Sequence, residues 1–575
     1  MKTKNIFRFF IITVTLMLSI NILKAQDADL ILSSIKKEVD RSKTELKIDN
    51  LQPPFFIGYT LIDSKHMSVN ASLGSLLEST QYSRRNGFSE LLTGSYERNN
   101  LGYIDMNSLR QRAYSESVCL EDDPAGIAFA IWRDMDGKYK NAAEKYEAKV
   151  SIIRQQNLSE EDLAVVDFEK VEPVNIMLKP VEVSQDLKYW ENYIKKSSES
   201  LKKFPALTKS NISIYSRNTM LYYYSSDNSK YAIPVPYCRL HLHVEAMTKD
   251  GQELYDDMYF EYGSIKMLPS LDNFTKDCEA FVSNFIKLID APMIDDAYSG
   301  PVLFEEQAAV EIVQEMFMNQ QSIWAKAKPV VHDMVRQYYG TMDMLESNRM
   351  EMMMNKKIIS RSLSLKAITG IQNYNDIQLE GYYPVDFEGV APEKEIILVE
   401  NGVLKSMLNR RTPTKKIPGS NGHYRFNFNS MNPHIAPGNV LLTSNDTYSK
   451  EELKKKLLDM AKEEDLEYAY IIRKIWQSNV IMLYKIYVED GREEIVRGAK
   501  LEGFNLKSFK RISGAASQNY VRHTANYGSL ATYIVPDGLL FEELEITRDG
   551  GMTLKTPFLV PQPTAAINSS ATTYK

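Results

Sequence analysis

The run HLHVE places His241, His243 and Glu245 at alternate positions. Alternate residues of an extended strand project from one face, so the three could converge as metal ligands. No fourth partner is evident in the sequence, and the run reads as the solvent-facing stripe of a strand. The methionine-rich GTMDMLESNRMEMMMNKK offers soft thioethers, but its scattered charges fit adaptable packing on a helix. Cys119, Cys238 and Cys278 are the only cysteines. Three widely spaced thiols allow at most one disulfide; none has a Cys or His neighbour at ligand spacing, and all three read as small buried hydrophobes. The seven histidines are spread without a recognisable nucleophile partner and no GxSxG elbow occurs, which argues against triad chemistry. No GxxxxGK[ST] or GxGxxG loop is present to cradle a phosphate.

The elements that must position any site are legible from the pattern. Lys2, Lys4 and Arg8 precede the apolar FFIITVTLMLSINIL and the small residue Ala25, the layout of a secretory signal peptide over 1–25. That apolar core is shorter than the roughly 20 residues a membrane span needs, and no later segment is apolar enough to span. The expectation is an exported protein, periplasmic or secreted, soluble once cleaved. A net charge of −6 and a pI of about 5.9 give no positive field to attract phosphate backbones, which excludes nucleic acid as a partner.

Helical spacing marks DADLILSSIKKEVDRSKTEL, GIAFAIWRDMDGKYKNAAEKYEAKV, SQDLKYWENYIKKSSESLKKF and NFTKDCEAFVSNFIKLIDA. PPFFIGYTLID and SVNASLGSLLES read as strands, and residues 212–262, rich in β-branched and aromatic side chains, as several antiparallel strands. APMIDDAYSGP has linker composition and sets a boundary near residue 295. Beyond it a helical segment, 305–321, precedes many strands. Asn401-Gly402 inside EIILVENGVLKSMLN marks a hairpin, and Ser449 three residues before Glu452 marks a capping box. The domains are therefore an α+β unit over 26–295, a strand-rich unit over 296–560 and a tail over 561–575.

The blocks GPVLFEEQAAVEIVQE, GYYPVDFEGVAPEKEIILVENGVLKSMLNRRTPT, GSNGHYRFNF, PHIAPGNVLLTSNDTYSKEEL and VRGAKLEGFNLKSFKRI resemble, in that order, the C-terminal domain of the TldD/PmbA metallopeptidase family, also called modulators of DNA gyrase. PPFFIGYTLID and AIWRDMDGKYKNAAEKYEAK are similar to its exported, TldD-related branch. The resemblance covers most of the mature chain and implies an α+β N-terminal domain followed by a strand-rich, barrel-like C-terminal one.

It also implies a chemistry and shows where that chemistry is missing. Active members hold zinc through two His of an HExxxH helix and a Cys from a C-terminal loop, with the Glu as general base. Ligands five residues apart diverge on a regular helix, so a π-like widening would have to bring them together. In this chain the frame falls on Gln314, Glu315 and Asn319. Neutral amides are weak donors to zinc, and no Cys follows Cys278. His523 stands in the corresponding C-terminal region, but one imidazole makes no site. No metal is expected, and Glu315 becomes a general-base position without a metal-bound water. Asp386, Glu388 and Arg425 match family positions and could shape a cleft. The family works in pairs of which one member carries the metal, and this chain resembles the metal-free one. The expected role is thus a partner subunit of a metal-bearing paralogue, or a scaffold for peptides or unfolded polypeptide. The alternative is an active zinc peptidase with atypical ligands such as His523 and Glu315.

Overall fold

The computed structural model describes residues 30–110, 115–156, 164–181, 186–294, 297–319, 322–339, 349–476, 478–525, 528–550, 554–556, 558, 560 and 563. Residues 1–25, read from sequence as a signal peptide, and residues 564–575 of the segment read as a tail lie outside them, as does the 340–348 part of the methionine-rich run.

The N-terminal half is built on a single sheet of eight strands. Two 19-residue strands, Pro54–Ser72 and Ser75–Thr93, form a long hairpin. The sequence placed a strand through this turn; Leu73 (φ 48°) and Gly74 (φ 81°) instead both take left-handed backbone, as a tight two-residue hairpin turn requires. Pro54–Ser72 also pairs with Leu207–Ser225. That strand carries Tyr237–Met247 along one part of its far edge and Lys230–Pro234 along another, and Glu253–Tyr262 extends the sheet beyond Tyr237–Met247.

Alternation divides the sheet into two unlike faces. One buries Met67, Val69, Ile212, Ile214, Leu240, Leu242 and Val244 together with Phe274, Cys278 and Val282 of the helix Leu271–Phe285 and Trp190 and Ile194 of the helix Leu187–Glu199. Farther along the same face Ile57, Tyr59 and Leu61 meet the helix at 30–45 and the helix Pro124–Gln156. The other face carries Ile62, Leu221 and Tyr223 at one end, where Val385, Phe387 and Phe426 cover them, and polar side chains at the other. Cys238 and Cys278 are buried as read from sequence, whereas Cys119 is half-buried; all three are free thiols.

The C-terminal half packs one helix between two sheets. The central strands of the first are Gly538–Arg548, Tyr298–Glu305 and Tyr468–Lys474, the last two parallel. The second runs Val403–Leu404, Ile396–Glu400, Leu363–Ala367, Asn439–Ser444, Ala531–Pro536, Asn519–Thr524. Each sheet has two different end strands, so neither closes on itself, and the expected barrel is replaced by open layers. A sheet need not close when a helix covers its apolar face. That helix, Gln307–Phe317, touches strands of both sheets, and Ala308, Ala309, Val310, Ile312, Val313 and Phe317 are fully buried. It is apolar on most sides because it has sheet on most sides.

On the outer face of the first sheet, Leu453, Leu457 and Ala461 of the helix Lys450–Glu463 cover Leu303, Ile471 and Leu540. The capping box is formed: Glu452 N donates to Ser449 Oγ (3.2 Å) and Ser449 N to Glu452 Oε2 (2.9 Å). Ser449→Ala is expected to cost about 1 kcal/mol, read as a lower urea midpoint, because the first-turn N–H groups lose their intramolecular acceptor. The turn Asn401 (φ 45°)–Gly402 (φ 78°) also stands where the sequence put it. The described end of the methionine-rich run forms a short 3-10 turn, Glu351–Met353, with Met350 buried and Met352 exposed. It is packing of the kind expected of methionine, on a turn instead of a full helix.

Candidate functional site

The helix Gln307–Phe317 carries the first two frame positions and ends before the third. Its last turn is regular, with Met318 N donating to Gln314 O at 3.0 Å, and its C-cap is Met318. The helix is therefore shorter than the 305–321 read from sequence, and no π-like widening brings residue 319 over residue 314. Gln314 is buried (5 % exposed), Glu315 is exposed, and the Asn319 side-chain amide donates back to the Glu315 carbonyl. The frame thus presents two amides and an outward-facing carboxylate. An amide carbonyl is a poor ligand for a borderline-soft cation and an amide nitrogen is none. These residues do not fit zinc.

One helical turn before Gln314, Glu311 is buried (2 % exposed) and fully engaged. Its Oε2 accepts from Ile475 N (2.7 Å) and Trp476 N (3.2 Å), and its Oε1 from Gln307 Nε2 (2.7 Å) and Arg522 (3.3 Å). This carboxylate ties the helix to both sheets. A group so occupied is structural, since ionised side chains stay buried only when paired and hydrogen-bonded. His523 lies on Asn519–Thr524 with Nδ1 at 3.0 Å from Thr532 Oγ1, and burial pushes its pKa down to about 4.

Asp386, Glu388 and Arg425 sit in interior networks. Asp386 accepts backbone N–H bonds from Glu388 (2.9 Å), Val390 (2.9 Å) and Tyr424 (3.1 Å); burial and the neighbouring Glu388 push its carboxyl up to about 8 against that pull. Glu388 accepts from Arg411 N (3.0 Å) and pairs with Arg410, which also reaches Glu90 (2.8 Å). Arg425 donates to the carbonyls of Pro437 and Leu530, both at 2.7 Å, and lies over the Tyr383 ring.

A cavity of about 410 Å³ opens elsewhere, between the polar part of the N-terminal sheet and the C-terminal half. Tyr215, Arg217, Tyr237, Arg239, Tyr259 and Glu261 form its sheet wall, and Phe428, Asn429, Ala525 and Gly528 its other wall. Asp386, Glu388, Arg425 and His523 are not among these lining residues. Arg217 stacks over Phe428 at 3.5 Å, and burial lowers its pKa to about 10. The Nε atoms of Arg217 and Arg239 are buried without a hydrogen-bond partner among the described residues. Glu261 is already held by Tyr237 Oη (2.5 Å) and Ala525 N (3.0 Å). Two guanidiniums among aromatic rings with one occupied carboxylate suit an anionic group.

The same polar face continues along the strand. Tyr237, Arg239, His241, His243 and Glu245 alternate with buried Cys238, Leu240, Leu242 and Val244. His241 Nε2 stands 2.5 Å and His243 Nδ1 2.9 Å from Asp257 Oδ1. Burial opposes its charge, yet the two imidazoles hold the Asp257 carboxyl well below the usual carboxylate range. The stripe read from sequence is real, but it is not merely solvated: the strand register sets Asp257 opposite His243. Sequence reasoning missed Arg217, Arg239, Asp257 and Glu311. The i, i+2 run of Tyr237, Arg239 and His241 carried a signal for the cavity wall; Asp257 carried none, because its partners are fixed by pairing with another strand.

The architecture is an apolar helix enclosed by two open sheets and joined to an α+β half. Residues 297–548 match the family described as PmbA/TldA metallopeptidase C-terminal domain, so the chain carries a TldD/PmbA-type C-terminal domain. Its fold is shared by a candidate modulator of DNA gyrase from Thermotoga maritima (15 % identity, TM-score 0.55, 89 % of this chain and 100 % of that one). TldE from Thermococcus kodakarensis (11 %, 0.53, 89 % and 100 %) and a candidate modulator of DNA gyrase from Bacteroides thetaiotaomicron (12 %, 0.53, 89 % and 98 %) are similar to the same extent. No curated protein matches the chain. Among the described residues no helix is long and apolar enough to cross a membrane.

Proposed function

We propose that this chain is an exported, non-catalytic TldD/PmbA-type protein that acts as the partner of a metal-bearing paralogue and holds peptide or unfolded polypeptide. The observation that carries the reading is the state of the frame: Gln314 is buried in an apolar helix, and Asn319 lies past the helix end with its amide turned onto the chain's own backbone. Export rests on the N-terminal sequence pattern over 1–25. The cavity beside Arg217 and Arg239 supports the binding role, because an extended peptide with a carboxylate would find charge-assisted donors and aromatic walls there.

The test is peptide hydrolysis by the full mature chain supplied with zinc. Turnover is expected to equal the buffer blank, with no response to chelator and none to Glu315→Gln. Chelator-sensitive cleavage abolished by Glu315→Gln would overturn the reading and restore the alternative of an active peptidase with atypical ligands. Co-elution with an exported relative that retains HExxxH tests the pairing directly.

A further inference from the structure

We propose that His241, His243 and Asp257 form a binding site for a divalent transition-metal ion, of which zinc is the type, on the polar face of the N-terminal sheet. The site is separate from the helix frame and uses none of its residues.

The strand geometry brings the ligands together without strain. His241 and His243, two apart on Tyr237–Met247, project from one face, and Asp257 on Glu253–Tyr262 is the cross-strand partner of His243 and the diagonal neighbour of His241. One ligand atom from each of the three residues lies within 4.8 Å of the others. A tetrahedral zinc site with bonds of about 2.1 Å separates its ligand atoms by about 3.4 Å. Asp257 Oδ1, at 2.5 and 2.9 Å from the two imidazole nitrogens, would move outward by less than about 1 Å to admit a cation.

A plain His–Asp ladder would explain these contacts if they stood alone, but the surroundings of His243 go further. Its other ring nitrogen, Nε2, lies 3.0 Å from Glu245 Oε1, and Glu245 is in turn held by Lys209 at 2.7 Å. Metal-ligating imidazoles usually give their second N–H to a carboxylate, which fixes tautomer and ring plane. His241 is held from the other side, stacked on Tyr259 at 4.4 Å with planes 9° apart. Both rings are therefore oriented toward one point by groups outside the trio. The three side chains are 21, 20 and 12 % exposed, enough to leave an open coordination position toward solvent. Two imidazoles, one carboxylate and an open position suit zinc, cobalt(II) or iron(II) and disfavour calcium or magnesium, which take oxygen ligands. The open position lies on the same sheet face as Arg239, so the metal would face the approach to the cavity.

Titration of the chelator-stripped full chain with zinc, followed by calorimetry, tests this, and cobalt(II) titration supplies a second readout in its visible d–d bands. One ion per chain is expected. His243→Ala and the double variant His241→Gln/His243→Gln should weaken binding more than about 100-fold, and Glu245→Gln about 10-fold. Gln314→Ala/Asn319→Ala should leave it unchanged. Absence of stoichiometric binding by the wild-type chain, or binding that survives the double His variant, would overturn the proposal. The wild-type titration decides even if a variant misfolds, and a negative result leaves the non-catalytic reading untouched, since that reading is tested by hydrolysis.

Discussion

Arg411→Ala is expected to lower stability by about 3 kcal/mol, measured as a shift of the urea unfolding midpoint, because it removes a fully buried guanidinium and strands the largely covered carboxylate it holds. Arg411 is fully buried. Its Nε donates to the Glu169 carbonyl at 2.9 Å and its Nη2 to Asp227 Oδ2 at 3.0 Å, while the guanidinium stacks over Phe168 at 4.1 Å. Asp227 is otherwise held by Tyr96 Oη at 2.6 Å. Removing the guanidinium leaves this carboxylate, 11 % exposed, without its charged partner, the costly half of breaking a largely buried pair. Arg411→Lys should recover little, since a point charge cannot reproduce the two-sided, planar contact. The double variant Arg411→Ala/Asp227→Ala should lose less than the sum of the two single changes, because the stranded charge is gone. Strict additivity would show that the pair is not coupled.

The consequence of that clamp extends to the cavity. Arg411 belongs to the C-terminal half, whereas Glu169 and Asp227 belong to the N-terminal half, and the neighbouring Arg410 bridges Glu388 to Glu90 in the same sense. A short way along the chain, the hairpin Tyr424–Asn427 and Asn432–Ile435 leads into Phe428 and Asn429, which form the far wall of the cavity. Two adjacent arginines therefore fix how closely that wall approaches Arg217 and Arg239. Loosening the clamp should widen the site before it unfolds either half.

This contact also marks how far sequence reading reaches. Local chemistry was legible: Ser449 and Glu452 cap their helix, Asn401-Gly402 turns its hairpin, and the alternation of Tyr237–Met247 announces a two-faced strand, because each depends on residues a few positions apart. The 19-residue hairpin strands were cut wrongly because Leu73, an apolar residue in a left-handed turn, disguises the break. The barrel-like arrangement that the resemblance implied gives way to open layers, since strand-like segments in a sequence say nothing of closure. Asp257 and the Asp227–Arg411 pair, 184 residues apart, were invisible, since only the fold decides which carboxylate meets which base. The residue types at Gln314, Glu315 and Asn319 could be read from sequence, whereas the turning of the Asn319 amide onto Glu315 O could not.

Acid should destabilise the fold through His423, and the sign follows from its surroundings. The imidazole is fully buried, with Nδ1 at 2.9 Å from the Asn421 carbonyl and Nε2 at 3.0 Å from Thr369 Oγ1. The first contact fixes the proton on Nδ1 and leaves Nε2 to accept from the hydroxyl, so the neutral ring is satisfied on both sides. Burial, reinforced by the charge of Arg425, pushes its pKa down to about 3, whereas in the unfolded chain it titrates near about 6.5. Between those values the unfolded state binds the extra proton. The contribution is whole above about pH 6.5 and is lost as pH falls toward 3, amounting to about 3 kcal/mol by pH 4. His66, His434 and His523, each lowered to about 4 mainly by burial, act in the same direction. The measurement is the unfolding midpoint from pH 7 to 4 for the wild type and for His423→Gln, an uncharged donor and acceptor of similar reach. The variant should be less stable at pH 7 and show a shallower decline on acidification; parallel curves would mean that His423 titrates normally in the fold. The same two contacts explain why His423 is no metal ligand in reserve: both ring nitrogens are already used, and reaching a cation would leave Thr369 and Asn421 without their partner inside a dry core.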